Sequence, residues 1–431
     1  MTTSGTWADF ADSVRYHLPH LITHYGGKMS SDSDAFEGSV IADVLACRSA
    51  YSQDQVLIPV DDVVCVVPGS EGPTTRYRVL YLQEHTEQEI QLESVNVTSI
   101  PAALSTCLVR DTPRCLQTAN IHVVLSTLSG TGQGKNTFNR TLHPLLSHFS
   151  LDGKYNLHET QSPHTIADLA RSIFLPAARA GTSQTIILLA GDGGLLDIIN
   201  VFYSHGSGDD ASTFVPPEIV LIPTGTGNAM ANSAGLLDRP KSTLVALAQG
   251  TPRPIPAFVA SFSAGAKLVI DGGNDRAPLD VGPSTGAAGA GHGTVYGAVV
   301  ASWGIHAALV ADSDKAEYRR FGADKFKMAA KELLYPSDGS ETHRYKGVVS
   351  LFKCHRRSGE RFVETETLPL EEHTYVLATL VSNLEKGFTI SPASAPLDGQ
   401  LRMVHFGPVS PEEVMRLLGL AYQGGQHVHE P

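Results

Sequence analysis

Paired cysteines, a surplus of positive charge and a long apolar run are all missing from this 431-residue chain, and each absence excludes something. The five cysteines, Cys47, Cys65, Cys107, Cys115 and Cys354, are odd in number, widely spaced and free of any CxxC pair. That pattern excludes a disulfide framework and a structural zinc site, and predicts reduced thiols in a cytoplasmic protein. Lys and Arg total 32 against 44 Asp and Glu, a formal net charge of -12. An acidic field repels phosphate backbones, so no nucleic-acid partner is expected. The stretch most like a membrane span, residues 295–311 (VYGAVVASWGIHAALVA), is mostly Ala and Val and holds Gly297, Ser302, Gly304 and His306. It falls short of the roughly 20 strongly apolar residues a span needs, and reads as buried strands of a soluble domain. The opening MTTSGTWADFADSVRYHL has no basic segment followed by an apolar one, so no signal peptide is expected. What is present, 42% hydrophobic and 18% charged residues, supplies ordinary cores. The length points to two to four domains.

Residues 1–117 carry short β-branched runs, VIADVLAC (40–47), DDVVCVVPG (61–69) and YRVLYLQEH (77–85), broken by Gly, Pro and acidic residues. They predict a small β-rich module, accessory to the rest, for membrane or partner docking. From residue 121 the texture changes to apolar runs followed by glycine loops and helical stripes. The units are IHVVLST (121–127) with SGTGQGKN (129–136), a strand near 155–159 with a helix from 164, TIILLA (185–190) with GDGG (191–194), and EIVLIP (218–223) with TGTGN (224–228). Helices are expected over LLDIINVF (195–202) and AMANSAGLL (229–237). Strands alternating with helices imply a parallel sheet covered on both faces, with ligands outside the carboxyl ends of its strands. After residue 250 strand-like runs dominate. The exceptions are a charged stretch at 314–334, helical in its later half, and a last helix at 410–422 opened by Ser410 and Glu413 as a capping box. A glycine-rich run at 282–293 reads as a mobile loop.

Each glycine loop has two readings. SGTGQGK fits neither the Walker A loop nor GxGxxG, which leaves either a phosphate seat at a helix start or an ordinary βα turn. In GDGG, Gly191, Gly193 and Gly194 free the backbone to approach an anion, and Asp192 is either the cap of the following helix or a chemical group. A carboxylate beside phosphate is unfavourable unless it holds a metal or takes a proton. TGTGN offers Thr226 and Asn228 as donors, or forms a tight turn with an Asn cap.

Taken in order, SGTGQG, GDGG and IPTGTGNAMA resemble the diacylglycerol kinase catalytic domain, a relative of the NAD kinase and phosphofructokinase folds. SWGIHAALVADSDKAEYRRFGADKF (302–326) and PLDGQLRMVHF (396–406) resemble its sphingosine kinase and ceramide kinase branch. The resemblance covers about 118–422. It implies a three-layer α/β nucleotide domain at 118–250, a β-sandwich lipid-binding domain at 251–403, and a segment 404–431 whose helix packs back on the kinase domain.

By the same resemblance, Ser126, Thr127, Leu128, Thr160 and His164 would contact ATP, as would Asp197, the phosphate loop Gly225, Thr226 and Gly227, the cations Arg319 and Lys325, and Asp398, Gly399 and Gln400. Asp192 matches the general base, inside a substrate-binding segment of Ala190, Gly191, Asp192 and Gly193. Asp312 matches the carboxylate that recognises an amino-alcohol head, with Asp314 as its rival. The family's Asn-Pro pair is replaced here by Ser126 and Thr127, and Gln400 stands in place of Glu. The activity implied is ATP- and Mg²⁺-dependent phosphorylation of a sphingoid base by a peripheral membrane protein. The alternatives are a diacylglycerol or ceramide kinase, or a binding protein without turnover.

Overall fold

Alternate residues of the central apolar runs face opposite ways, which splits them between two cores. Four strands, β7 (Asn120–Leu125), β8 (Asn156–Glu159), β9 (Gln184–Ala190) and β10 (Glu218–Pro223), form an all-parallel sheet in the order β10-β9-β7-β8. Ile121, Val123, Leu125, Ile187 and Leu189 face one core, while Val124, Ile186 and Leu188 face the other. With both faces buried, the strands read as continuous apolar runs. The computed structural model describes residues 36–41, 43–49, 55–69, 77–86, 89–118, 120–127, 129–130, 132–205, 213–270, 275–279, 293–315, 318, 321, 324–357 and 360–430. The glycine-rich run falls outside these up to residue 292.

Helices cover both faces. On the first lie the helix that runs from Gly134–Thr137 through a π-helical turn Phe138–Leu142 into His143–His148, and the helix Ser242–Gln249. On the second lie Asp192–His205 and a helix built the same way, Thr165–Leu169 through π turn Ala170–Phe174 into Leu175–Arg179. Each π turn ends two residues before a proline, Pro144 or Pro176. A proline in a regular helix clashes with the carbonyl four residues back, and the wider turn lets the chain continue.

The amino-terminal sheet holds β1 (Phe36–Ile41), β2 (Val44–Ser49), β3 (Gln55–Pro59), β4 (Val63–Pro68), β5 (Tyr77–Thr86) and β6 (Glu89–Val97), ordered β3-β2-β1-β6-β5-β4. The run VIADVLAC is two strands, since Asp43 turns the chain with a φ of 60°. The module is no loose accessory. One face of the sheet encloses Leu45, Ile58, Val66, Val79 and Val97. The other presents Val64, Leu80, Leu82 and Leu92 to the helices over the parallel sheet, in one core with Leu142, Leu145, Leu244 and Leu247. Lys241 Nζ donates to the Val60 carbonyl at 3.0 Å, and Arg239 pairs with Asp61. The result is a stack of sheet, helices, sheet and helices.

Beyond residue 257 lie a three-stranded antiparallel sheet, Val300–Gly304, Tyr375–Thr379 and Arg402–Phe406, and several two-stranded pairs. The stretch expected to be all strand is mixed, for Ile305–Ser313 is a helix. The carboxy-terminal helix Pro411–Ala421 also departs from expectation: Val414 and Ala421 pack with Ile305, Leu334, Tyr375 and Leu377, on the three-stranded sheet rather than on the α/β unit. Ser410 caps it by accepting from the Glu413 N–H, but the Glu413 carboxylate pairs with Arg416 instead of closing the box. Among the described residues no helix is long and apolar enough to cross a membrane.

Candidate active site

The order β10-β9-β7-β8 places a topological switch between β7 and β9, because the chain leaves β7 toward β8 and returns on its other side. At such a point the loops leaving the carboxyl ends diverge and open a crevice. The loops after β7, β9 and β10 close on it at glycines. Gly130 has a φ of 54°, and a side chain there would collide with the Thr224 carbonyl oxygen. A Cβ on Gly225 would lie 2.5 Å from the Gly191 Cα, and one on Gly191 would lie 3.1 Å from the Gly225 Cα. Backbone therefore meets backbone at all three loops.

Asn228 locks the third loop. Its backbone is left-handed, with φ 53° and ψ 49°. Its Oδ1 accepts from the Gly225 N–H at 2.9 Å and its Nδ2 donates to the Gly225 carbonyl at 2.7 Å. Because its side chain is spent on the loop, Asn228 is not the cap of the helix Ala229–Ser233. The cap comes from Asp192. The Ala229 N–H donates to Asp192 Oδ2 at 2.6 Å and the Met230 N–H to Oδ1 at 3.0 Å. Asp192 itself begins the helix Asp192–His205, which starts three residues before the apolar stripe that announced it. Burial raises the Asp192 carboxyl above the usual range, and the two amides pull it back.

The other expected residues divide into groups. The Thr127 N–H donates to Thr160 Oγ1 at 3.0 Å and Thr127 Oγ1 donates to the Thr160 carbonyl at 2.9 Å, so the ends of β7 and β8 meet, with Ser126 beside them bonded to Ser129. Asp197, on the second turn of its helix, is pushed up to about 6 by burial, against the pull of His164 and Arg171. Ala190, Gly193, Thr226 and Gly227 sit in or beside the three loops, with Gly227 against the Leu384 carbonyl. Thr224 Oγ1 is buried there without a hydrogen-bond partner.

Asp312 and Lys325 are held elsewhere: Lys315 Nζ lies 2.7 Å from Asp312, and Lys325 Nζ lies 3.9 Å from Asp314. Asp398 serves its own turn, accepting from the Gln400 N–H at 2.9 Å and pairing with Arg402 at 2.9 Å, while Gly399 lies against Pro256. Leu128 and Arg319 lie outside the described residues. Sequence reasoning gave no role to Gly130 or Thr224 and left the Asn228 clamp unseen; the adjacent Gly-x-Gly spacing was the available signal for the first.

Two links join this site to the later region. Asn200, on the helix begun by Asp192, donates to the Tyr296 carbonyl at 2.8 Å and accepts from its N–H at 2.9 Å. Ser233 Oγ accepts from the Asn383 N–H at 3.0 Å.

Known proteins resemble parts of this chain. Sphingosine kinase B of Dictyostelium discoideum is 41% identical over 76 residues, which span 18% of this chain and 10% of that protein. A crystal structure of a diacylglycerol kinase from Bacillus anthracis str. Sterne superposes with a TM-score of 0.41 at 11% identity, over 73% of this chain and 79% of the other. Residues 120–260, which contain all three glycine loops and Asp192, match the model of the diacylglycerol kinase catalytic domain.

Proposed function

We propose that the chain is an ATP-dependent lipid kinase that transfers the γ-phosphoryl group to the primary hydroxyl of a sphingoid base, with Asp192 as general base. The observation that carries this reading is the convergence of three glycine loops around one carboxylate at the switch point of a parallel sheet. Phosphoryl transfer asks for positioning and charge neutralisation more than for covalent chemistry. Backbone amides of the three loops, other than the Gly225 N–H that Asn228 holds, would cradle the phosphates, with the Thr224 and Thr226 hydroxyls as further donors. Each Asp192 oxygen keeps a second lone pair beyond its amide bond, so the hydroxyl proton can be accepted without uncapping the helix. A carboxyl raised by burial is a better base near neutral pH.

No cluster of three or more Asp, Glu, His or Cys side chains that could hold a metal exists among the described residues. This suits Mg²⁺, which is usually held by one or two carboxylates, substrate phosphates and water. Asp192 is the protein ligand available to it in these loops, and the ion would supply charge neutralisation. Nucleotide would sit on 118–250, with Arg319 and Lys325 as cations and Asp398–Gln400 closing over it. The lipid tail would enter 251–403, from a peripheral position on a cytoplasmic membrane. Asp312 already holds one primary ammonium, that of Lys315, and would exchange it for the ammonium of the lipid head.

A binding protein without turnover is the second reading, favoured by the absent Asn-Pro pair and by the capping duty of Asp192. Radiolabelled ATP offered with sphingosine, phytosphingosine, ceramide and diacylglycerol separates them. Labelling of the sphingoid bases is expected; ATP binding with no labelled lipid favours the second reading. Asp312→Asn should raise KM for sphingosine roughly 10- to 150-fold, the worth of a charge-assisted hydrogen bond, and leave KM for ATP unchanged. A larger effect of Asp314→Asn would move the head-group role to that residue.

A further inference from the structure

Two helices meet at Asp192: one begins with it, and the other, Ala229–Ser233, is capped by it. Each carries a polar side chain that closes on the backbone of the later, β-rich region in the same way. Asn200 accepts from the Tyr296 N–H at 2.9 Å and donates to the Tyr296 carbonyl at 2.8 Å. Ser233 accepts from the Asn383 N–H at 3.0 Å and donates to the Asn383 carbonyl at 3.2 Å. A residue in a strand exchanges one N–H and one C=O bond with the residue opposite it in the next strand. Asn200 and Ser233 each supply that pair of bonds from a single side chain, and so stand in for a neighbouring strand.

The gripped residues lie where the β-rich region joins the site. Tyr296 is in the strand Gly293–Gly297, which pairs with Phe258–Phe262. From there the chain passes through Ala298 and Val299, buried with Leu195, Ile198 and Ile199 of the helix begun by Asp192. It then enters the strand Val300–Gly304 and the helix that carries Asp312. Asn383 opens the short strand Asn383–Glu385, and the carbonyl of the next residue, Leu384, is the one against which Gly227 of the third glycine loop lies. Both side chains are fixed in place. Asn200 Nδ2 also donates to the Leu196 carbonyl at 2.8 Å, and Ser233 is only 8% exposed.

We propose that Asn200 and Ser233 are positioning residues, which hold the acceptor-binding region in register with Asp192 while the glycine loops hold the nucleotide without them. The inference rests on the lipid-kinase reading and assigns the alignment of the acceptor to these two contacts.

Three variants of the full chain test it. Asn200→Leu removes both bonds to Tyr296. Asn200→Ser keeps a hydroxyl that can bond the carbonyl four residues back but is too short to reach Tyr296, and it keeps the test open if Asn200→Leu does not fold. Ser233→Ala removes both bonds to Asn383. Thermal melts check that each is folded at the assay temperature. Hydrogen exchange read by mass spectrometry should run about 10-fold faster at the released strand, Gly293–Gly297 or Asn383–Glu385, the worth of a lost hydrogen bond. Exchange across β9 should stay as in the parent. With sphingosine and ATP, kcat should fall about 10²-fold, the cost of a misplacement on the order of 1 Å, while affinity for ATP is unchanged. Transfer to water, read as ADP formed in excess of phosphorylated lipid, should take a larger share of turnover.

Unchanged exchange at the released strands would overturn the proposal, since the side chains would then hold nothing. So would parental kcat with faster exchange, which makes the contacts structural only, or a loss of ATP affinity as large as the loss of turnover, which gives the effect to the α/β unit. A parent that phosphorylates no lipid sinks the kinase reading instead; the two contacts are then judged by exchange alone.

Discussion

Asp192 has two duties that pull on its proton affinity in opposite directions. Capping the helix Ala229–Ser233 favours the carboxylate, while burial favours the acid. Asp192→Asn leaves one amide hydrogen bond and sets an NH₂ group against the other N–H, at a cost of about 1–3 kcal/mol. The variant is expected to melt at a lower temperature and to lose roughly 10² to 10⁴ in kcat, the range for a lost general base. A lower melting temperature with near-normal turnover would make it a cap alone. Asp197 supplies a pH signature. Burial raises its carboxyl to about 6, against about 3.9 in an unfolded chain. The folded state holds that proton more tightly, so the contribution to stability is full below about pH 4 and is lost as pH rises through about 6. Asp197→Asn should therefore raise the melting temperature near pH 7.5 and change it little near pH 4. Equal shifts at both would show that ionisation is not the cause.

The glycine loops work as a set of surfaces in contact. Gly225→Ala would drive a Cβ into the Gly191 Cα and the Asn228 Oδ1, at 2.5 and 2.8 Å, so the loops must part. Misplacement on the order of 1 Å costs about 10²-fold in turnover, and kcat/KM for ATP is expected to fall by about that factor. Gly419→Ala, inside the helix Pro411–Ala421, meets nothing within 4 Å and improves a helix interior, so its kinetics should stay within about twofold of the parent. Parity between the two variants would remove the contact argument. These loops were legible because glycine spacing after an apolar run marks backbone that must come close to something. Their partners were not, since the Asp192 contact with Ala229 and Met230 joins positions 37 and 38 residues apart. The helix Ile305–Ser313 escaped notice because its Ala- and Val-rich stretch continues the composition of the strand before it. The burial of β4 on both faces was written in the sequence: Val63–Val67 is apolar without alternation, as covered strands are.

At the scale of the whole molecule, the amino-terminal sheet and the α/β unit share one core. A chain starting at residue 118 would leave Leu142, Leu145, Leu244 and Leu247 without Leu80, Leu82 and Leu92 above them. Losing several such contacts, each worth about 2–5 kcal/mol when a leucine is truncated, exceeds the stability of most domains. The truncated chain should aggregate or bind a hydrophobic dye, as read by gel filtration and fluorescence; a soluble monomer with a sharp melt and intact ATP binding would show the sheet to be dispensable. The shared core also sets an order of events during synthesis. β4, β5 and β6 leave the ribosome first, yet the helix Ser242–Gln249 that covers β4 is made some 150 residues later. At about 5–20 residues per second, an apolar sheet face waits on the order of ten seconds for its cover. During that wait the exposed face is a site at which nascent chains can aggregate.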